Sequence, residues 1–232
     1  MNDRIEYILQ QTQNVLAIDS PTGFTSRAAD YVMGEYRRLG YSPVRTNKGG
    51  ILVCVSQGNG RPSDLPEDGP ILLEAHIDTL GAMVSEVCGN GRLAVTPLGG
   101  LNPNNAEAEN CRIYTREGKM YSGTFQLKNA SIHVNGDYNA TARSYDTMEV
   151  VLDEEVTDRE GAMALGILPG DVVCFDPRTI LTPSGYLKSR FLDDKLSVGI
   201  LLGYAAYLKE ENVTTARKIY QHITVFEEVG HG

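Results

Sequence analysis

Two adjacent glutamates, Glu227 and Glu228, close an apolar run near the end of this 232-residue sequence. Paired carboxylates beyond a strand can divide labour: one holds a metal ion while its neighbour takes and returns a proton. The plain alternative is a solvated strand rim. A second segment, Ile71-Leu72-Leu73-Glu74-Ala75-His76-Ile77-Asp78-Thr79, delivers a histidine and, two residues on, an aspartate. A neutral imidazole ligates zinc or cobalt and is commonly oriented by a carboxylate on its other nitrogen, a role open to Asp78. A lone histidine after a strand is otherwise a hydrogen-bonded surface or core residue. The third segment, Arg190-Phe191-Leu192-Asp193-Asp194-Lys195, puts two aspartates at a helix start, where capping of free backbone N–H groups is the ordinary explanation. Each feature alone is unremarkable in kind, but their order, strand-His-x-Asp, then Asp-Asp-helix, then strand-Glu-Glu, makes one candidate site.

The elements that must position these residues can be read from periodicity. Lys218 to Phe226 has the β-branched and aromatic content of a buried strand, and ligands in open α/β sheets gather beyond the carboxyl ends of strands. Ile51 to Val55 and Ile71 to Ala75 read as further buried strands, separated by a polar, Gly/Pro-rich loop from Gly58 to Pro70. Ile5, Ile8, Leu9, Val15 and Leu16 mark one amphipathic helix; Ala28, Ala29, Val32, Met33, Tyr36 and Leu39 mark a second, ended by Gly40. Leu196, Ile200, Leu201, Tyr204 and Leu208 mark a third, after Asp193. From Met83 to about Tyr186 the texture changes to short strands and turns such as Cys88-Gly89-Asn90-Gly91 and Arg116-Glu117-Gly118-Lys119. The expectation is an α/β fold, a mixed sheet flanked by helices, interrupted by a β-rich insert: residues 1–82 and 187–232 form the α/β domain and 83–186 the insert. His133 is expected in a strand of that insert and His222 inside the last strand, both structural.

Composition bounds the partners. With 41% hydrophobic residues the chain can bury a core for one or two domains. A net charge of −9 and a pI near 5.0 disfavour nucleic acid and anionic membrane, and no basic patch offsets that. The start, Met1-Asn2-Asp3-Arg4-Ile5-Glu6, lacks the basic and apolar runs of a signal peptide, and Val198 to Leu208 is too short to span a bilayer, so a cytoplasmic protein is expected. Cys54, Cys88, Cys111 and Cys174 are scattered, with no Cys-x-x-Cys pair, and argue for no disulfide framework.

The segments Ala75-His76-Ile77-Asp78, Phe191-Leu192-Asp193-Asp194-Lys195 and Phe226-Glu227-Glu228-Val229-Gly230 resemble the cocatalytic two-metal aminopeptidases, in particular the glutamyl and deblocking family that includes the tetrahedral enzymes. Asp19-Ser20-Pro21-Thr22-Gly23 looks like that family's N-terminal signature, Gly81-Ala82-Met83-Val84 like its exit into an inserted domain, and Leu165 to Val173 like a turn and strand of that insert. The resemblance implies that His76 binds one metal ion, Asp193 bridges two, Glu228 binds the other, Glu227 is the general base and Asp78 orients His76. It implies two divalent ions, zinc first, with cobalt or manganese as alternatives, acting on peptide substrates to release N-terminal residues. It further implies a β-barrel-like insert used in homo-oligomer assembly. The family continues past the Glu-Glu motif to two more metal ligands, an aspartate and a histidine, whereas Gly230-His231-Gly232 closes this sequence; a chain lacking the family's C-terminal part is expected. Two alternatives follow: a member acting only through subunit association, and a deacetylase or dipeptidase of the same two-metal architecture.

Overall fold

The computed structural model describes residues 3–56 and 69–232, so most of the loop expected at Gly58 to Pro70 lies outside the described residues. The chain divides into two compact units, Met1–Thr79 with Pro177–Gly232, and Leu80–Asp176. The first unit opens with helices α1 (Asp3–Leu16) and α2 (Ser26–Arg38), then strands β1 (Val44–Arg45), β2 (Ile51–Cys54) and β3 (Ile71–His76). The second holds β4 (Gly81–Val87), β5 (Leu93–Leu98), β6 (Glu109–Tyr114), β7 (Met120–Leu127), β8 (Met148–Leu152), the short helix α3 (Arg159–Ala164) and β9 (Val172–Phe175). The chain then returns through the hairpin β10 (Ile180–Leu181) and β11 (Leu187–Lys188) to helix α4 (Leu192–Glu210) and strand β12 (Ile219–Thr224).

The sheet of the first unit has the order β1-β2-β12-β3 and is mixed, as the sequence suggested: β12 runs antiparallel to β2 and parallel to β3. Alternation explains its central place. Ile219, Gln221 and Ile223 are buried, while the residues between them are only partly covered. Val198, Leu201, Leu202, Ala205 and Leu208 of α4 join Val32 and Tyr36 of α2 and Val53 of β2 in one core. The buried polar Gln221 is satisfied on both ends: its Oε1 accepts from Tyr36 Oη at 2.7 Å and its Nε2 donates to the Leu201 carbonyl at 3.0 Å. Helix α1 lies close along α4 because Gly199 and Gly203 leave the space; a Cβ at Gly199 would overlap Thr12 Oγ1, and one at Gly203 would overlap the Ile8 side chain.

The second unit is a closed antiparallel barrel, β4-β5-β8-β7-β6-β9. Closure leaves no open edge, so short strands suffice. Phe125 and Phe175 meet edge-on inside it, ring centroids 5.5 Å apart, and Ile113, Leu93 and Val150 are fully buried around them. Two expectations need correction. His133 is exposed in a turn between β7 and β8 rather than in a strand, because the segment from Asn129 to Asp146 is organised by turns, with Arg143 paired to Glu107 and lying over the Tyr138 ring. The helix that follows Phe191 does not begin on two helical aspartates: Phe191 is left-handed, and Asp193 and Asp194 have non-helical backbone, joined by a cis peptide bond. Among the described residues no helix is long and apolar enough to cross a membrane.

Candidate active site

Parallel pairing of β3 with β12 decides where the chemistry collects. The register sets Thr224 against His76, and the Ile77 N–H donates to the Thr224 carbonyl at 3.0 Å, so both strands release their following residues at one end of the sheet. From β3 come His76 and Asp78; from β12 comes a 3-10 turn, Glu227–Val229, carrying both glutamates. An open cleft of about 480 Å³ there is lined by His76, Asp194, Thr224 and Glu227 among others.

His76 is buried, and its two ring nitrogens face different partners. Nδ1 lies 3.0 Å from the Asp78 carbonyl and 3.5 Å from Asp78 Oδ1. Nε2 points to the cleft, 3.1 Å from Asp193 Oδ1 and 3.6 Å from Glu227 Oε2. Burial works against the charged imidazole, but the Asp78 carboxylate, the Asp78 carbonyl and Asp193 outweigh it and raise its pKa to about 9. Asp193 reaches it from open solvent, its side chain 94% exposed. Asp194, which sequence reasoning treated only as a helix-start acid, turns inward instead: its Oδ2 accepts from the His76 backbone N–H at 3.3 Å.

Asp78 has no exposed surface, and its carboxylate is the most heavily bonded group in the site. Oδ2 accepts from Thr22 Oγ1 at 2.7 Å and from the Glu228 N–H at 3.2 Å; Oδ1 accepts from the Glu227 N–H at 3.2 Å. Burial alone would raise its pKa, yet His76, the Thr22 hydroxyl and the two amides hold it below the ordinary carboxylate range. Glu228 shows the opposite balance. Burial, with the negative charges of Asp78, Glu227 and Asp193, holds its carboxyl above the usual range against the attraction of His76. Among the described residues no three His, Cys, Asp or Glu side chains are drawn together as a metal-holding group.

Sequence reasoning missed Thr22 and Ser20 as working parts. Ser20 Oγ donates to the Ile77 carbonyl at 2.7 Å, and the backbone of Ser20 and Thr22 bonds with that of Thr79. The available signal was a hydroxyl pair bracketing Pro21 before Gly23, which reads equally well as a turn. Lys195 is likewise buried, its Nζ donating to the carbonyls of Val15 at 3.0 Å and Ile18 at 2.6 Å, so it ties the start of α4 to the end of α1. His231 meets Lys48 through its backbone carbonyl.

The family model for M42 glutamyl aminopeptidases matches residues 61–232, a range that takes in His76, Asp78, both aspartates of α4 and both glutamates. The chain belongs to that family. Among its M42 relatives, a putative aminopeptidase YhfE of Bacillus subtilis (strain 168) is 38% identical over 224 residues, which cover 97% of this chain and 63% of the relative. The glutamyl aminopeptidase of Lactococcus lactis subsp. cremoris (strain MG1363) is 25% identical, over 96% of this chain and 60% of its own length. The chain therefore spans less than two thirds of the M42 proteins it matches. In fold it is similar to the TET aminopeptidase of Thaumarchaeota archaeon SCGC AB-539-E09, with a TM-score of 0.83 at 21% identity, covering 97% of this chain and 60% of that one.

Proposed function

We propose that this chain carries the front part of a metal-dependent aminopeptidase site, for release of N-terminal residues from peptides. The observation that supports it best is that His76 Nε2 faces two carboxylates in turn, Asp193 Oδ1 at 3.1 Å and Glu227 Oε2 at 3.6 Å, beyond the carboxyl ends of two parallel strands. The donors suit a divalent cation in kind, an imidazole nitrogen with carboxylate oxygens. Burial, and after it the charges of neighbouring carboxylates, push the Glu228 carboxyl up, and bound cations would relieve the repulsive part. In this reading His76, Asp193 and Glu228 would hold the divalent ions, with zinc, cobalt and manganese as the candidates. Bound ions would supply Lewis acidity toward the scissile carbonyl.

The protein's own groups do the rest. Glu227, exposed beside the cleft, accepts a proton from water as the water oxygen bonds to the carbonyl carbon. It returns that proton to the amine nitrogen as the C–N bond breaks. Asp78 keeps Nδ1 of His76 occupied, leaving Nε2 for the cleft. The α/β unit is the catalytic domain in this proposal, and the barrel, Leu80–Asp176, is an inserted domain for homo-oligomer assembly in the cytoplasm. TET-named structural neighbours support assembly, including one described as a dodecamer.

Metal content per chain after gentle purification, with hydrolysis of an aminoacyl substrate panel in added zinc, cobalt or manganese, tests the reading. Metal retained but turnover lost in Glu227→Gln would support the base assignment. A second reading, association without hydrolysis, draws on the lack of a three-residue metal group among the described residues. It predicts self-association with no turnover in any of the three metals.

A further inference from the structure

We infer that Thr22 is a positioning residue that acts through Asp78 on the Glu227–Glu228 turn. The inference rests on the proposed roles of those glutamates but is carried by separate geometry. Asp78 is fully buried and is the acceptor for both glutamate amides, one on each carboxylate oxygen. Two consecutive N–H groups bound to two oxygens of one carboxylate fix the orientation of the turn as well as its position. They do so only while the carboxylate plane itself is fixed. His76 contributes from the Oδ1 side, with Nδ1 3.5 Å from Oδ1 and nearer, at 3.0 Å, to the Asp78 carbonyl. The bond from Thr22 Oγ1, 2.7 Å to Oδ2, is the shortest side-chain contact on it and holds the oxygen that also accepts the Glu228 amide.

Thr22 can do this because its own backbone is anchored. Its N–H donates to the Thr79 carbonyl at 3.2 Å, and Pro21 forms a parallel bridge with Thr79, one residue beyond Asp78. Thr22 is itself buried, which limits competition from solvent for its hydroxyl. A loop between α1 and α2 thereby sets the attitude of two carboxylates delivered by β12, about two hundred residues along the chain. Its effect passes through one shared acceptor, Asp78.

The test compares the full chain with Thr22→Val, which keeps the shape and removes the hydroxyl, and Thr22→Ser, which keeps the hydroxyl. Amide hydrogen exchange is read at Glu227 and Glu228 in metal-free protein, with the Ile223 amide of β12 as the internal reference for global stability. Loss of one hydrogen bond to a buried carboxylate predicts exchange faster by roughly ten-fold or more at both glutamates in the valine variant, with Ile223 changed far less and serine near wild type. Cobalt titration, followed by visible absorbance, is then expected to show weaker binding in the valine variant and recovery in serine. Unchanged exchange at both glutamates in Thr22→Val overturns the inference, as does equal acceleration at Ile223. If Thr22→Val does not fold, Thr22→Ala is read by the same criteria. Wild-type chain that binds no cobalt, yet shows the amide effect, refutes the metal-site reading and leaves the positioning role standing.

Discussion

Asp78 meets His76 with its backbone before its side chain: Nδ1 is 3.0 Å from the Asp78 carbonyl and 3.5 Å from the carboxylate. Strand-end backbone geometry therefore brings the histidine and Asp78 together, and the carboxylate, while still facing Nδ1, also accepts from Thr22 and both glutamate amides.

That division predicts the behaviour of Asp78→Asn. The carbonyl contact to Nδ1 survives, so the imidazole keeps its orientation. An amide cannot offer two acceptor oxygens to Glu227 and Glu228, so one glutamate N–H loses its partner in a partly buried setting, at a cost of about 1 kcal/mol. Chemical denaturation of the metal-free chain is expected to show that loss, and exchange at one of the two glutamate amides is expected to accelerate. Full stability in the asparagine variant would contradict the shared-acceptor geometry.

The pH dependence follows from His76. Its pKa in the metal-free fold is raised to about 9, above the ordinary 6.5. A group whose folded value exceeds its unfolded value contributes stability that is fully present below about 6.5 and is lost as the pH rises through about 9. Thermal midpoints of the chelated chain are expected to fall across that window, with the fall reduced in His76→Gln. Metal binding needs the neutral imidazole, so cobalt affinity is expected to rise over the same window. A flat thermal profile, or affinity independent of pH there, would remove His76 as the titrating ligand.

Contact between α1 and α4 yields a prediction away from the site. Gly199→Ala gains about 1 kcal/mol of helix propensity. Its new methyl, however, meets Thr12 Oγ1, itself bonded to the Ile8 carbonyl, with that carbonyl close behind. Overpacking of this kind costs about 1–3 kcal/mol, so net destabilisation is expected, seen as a lower thermal midpoint. A stabilised variant would show that α1 can move aside.

Much of this was legible in the sequence, for reasons that differ residue by residue. His76 and Glu227-Glu228 each have an ordinary explanation alone and drew attention only through their order with Asp193-Asp194, whereas the α/β framework followed from period-2 and helical spacing. The double duty of Asp78 was not legible, because it depends on where the Glu227 and Glu228 N–H groups point, and backbone direction in a 3-10 turn leaves no mark on side-chain identity. The kink at Asp193-Asp194 was hidden for a related reason: two acids before an apolar helix look like caps whether or not their backbone is helical. The hairpin β10–β11 has the same turn-rich texture as the insert, so the change of texture was placed at Tyr186, whereas the compact barrel unit closes at Asp176.

The parallel pairing of β3 with β12 also sets the order in which the molecule can be made. His76 leaves the ribosome long before Thr224, its partner across the sheet, while residues 80–176 contain every strand the barrel needs. Joining β3 to β12 closes a loop that contains the whole barrel, and a folded barrel shortens the effective span of that loop. The barrel is thus expected to protect its amides first and the histidine's strand last, which pulsed exchange during refolding would resolve. The site is assembled by a pairing of residues far apart in the chain, so loss of rate in folding and loss of the site share one origin.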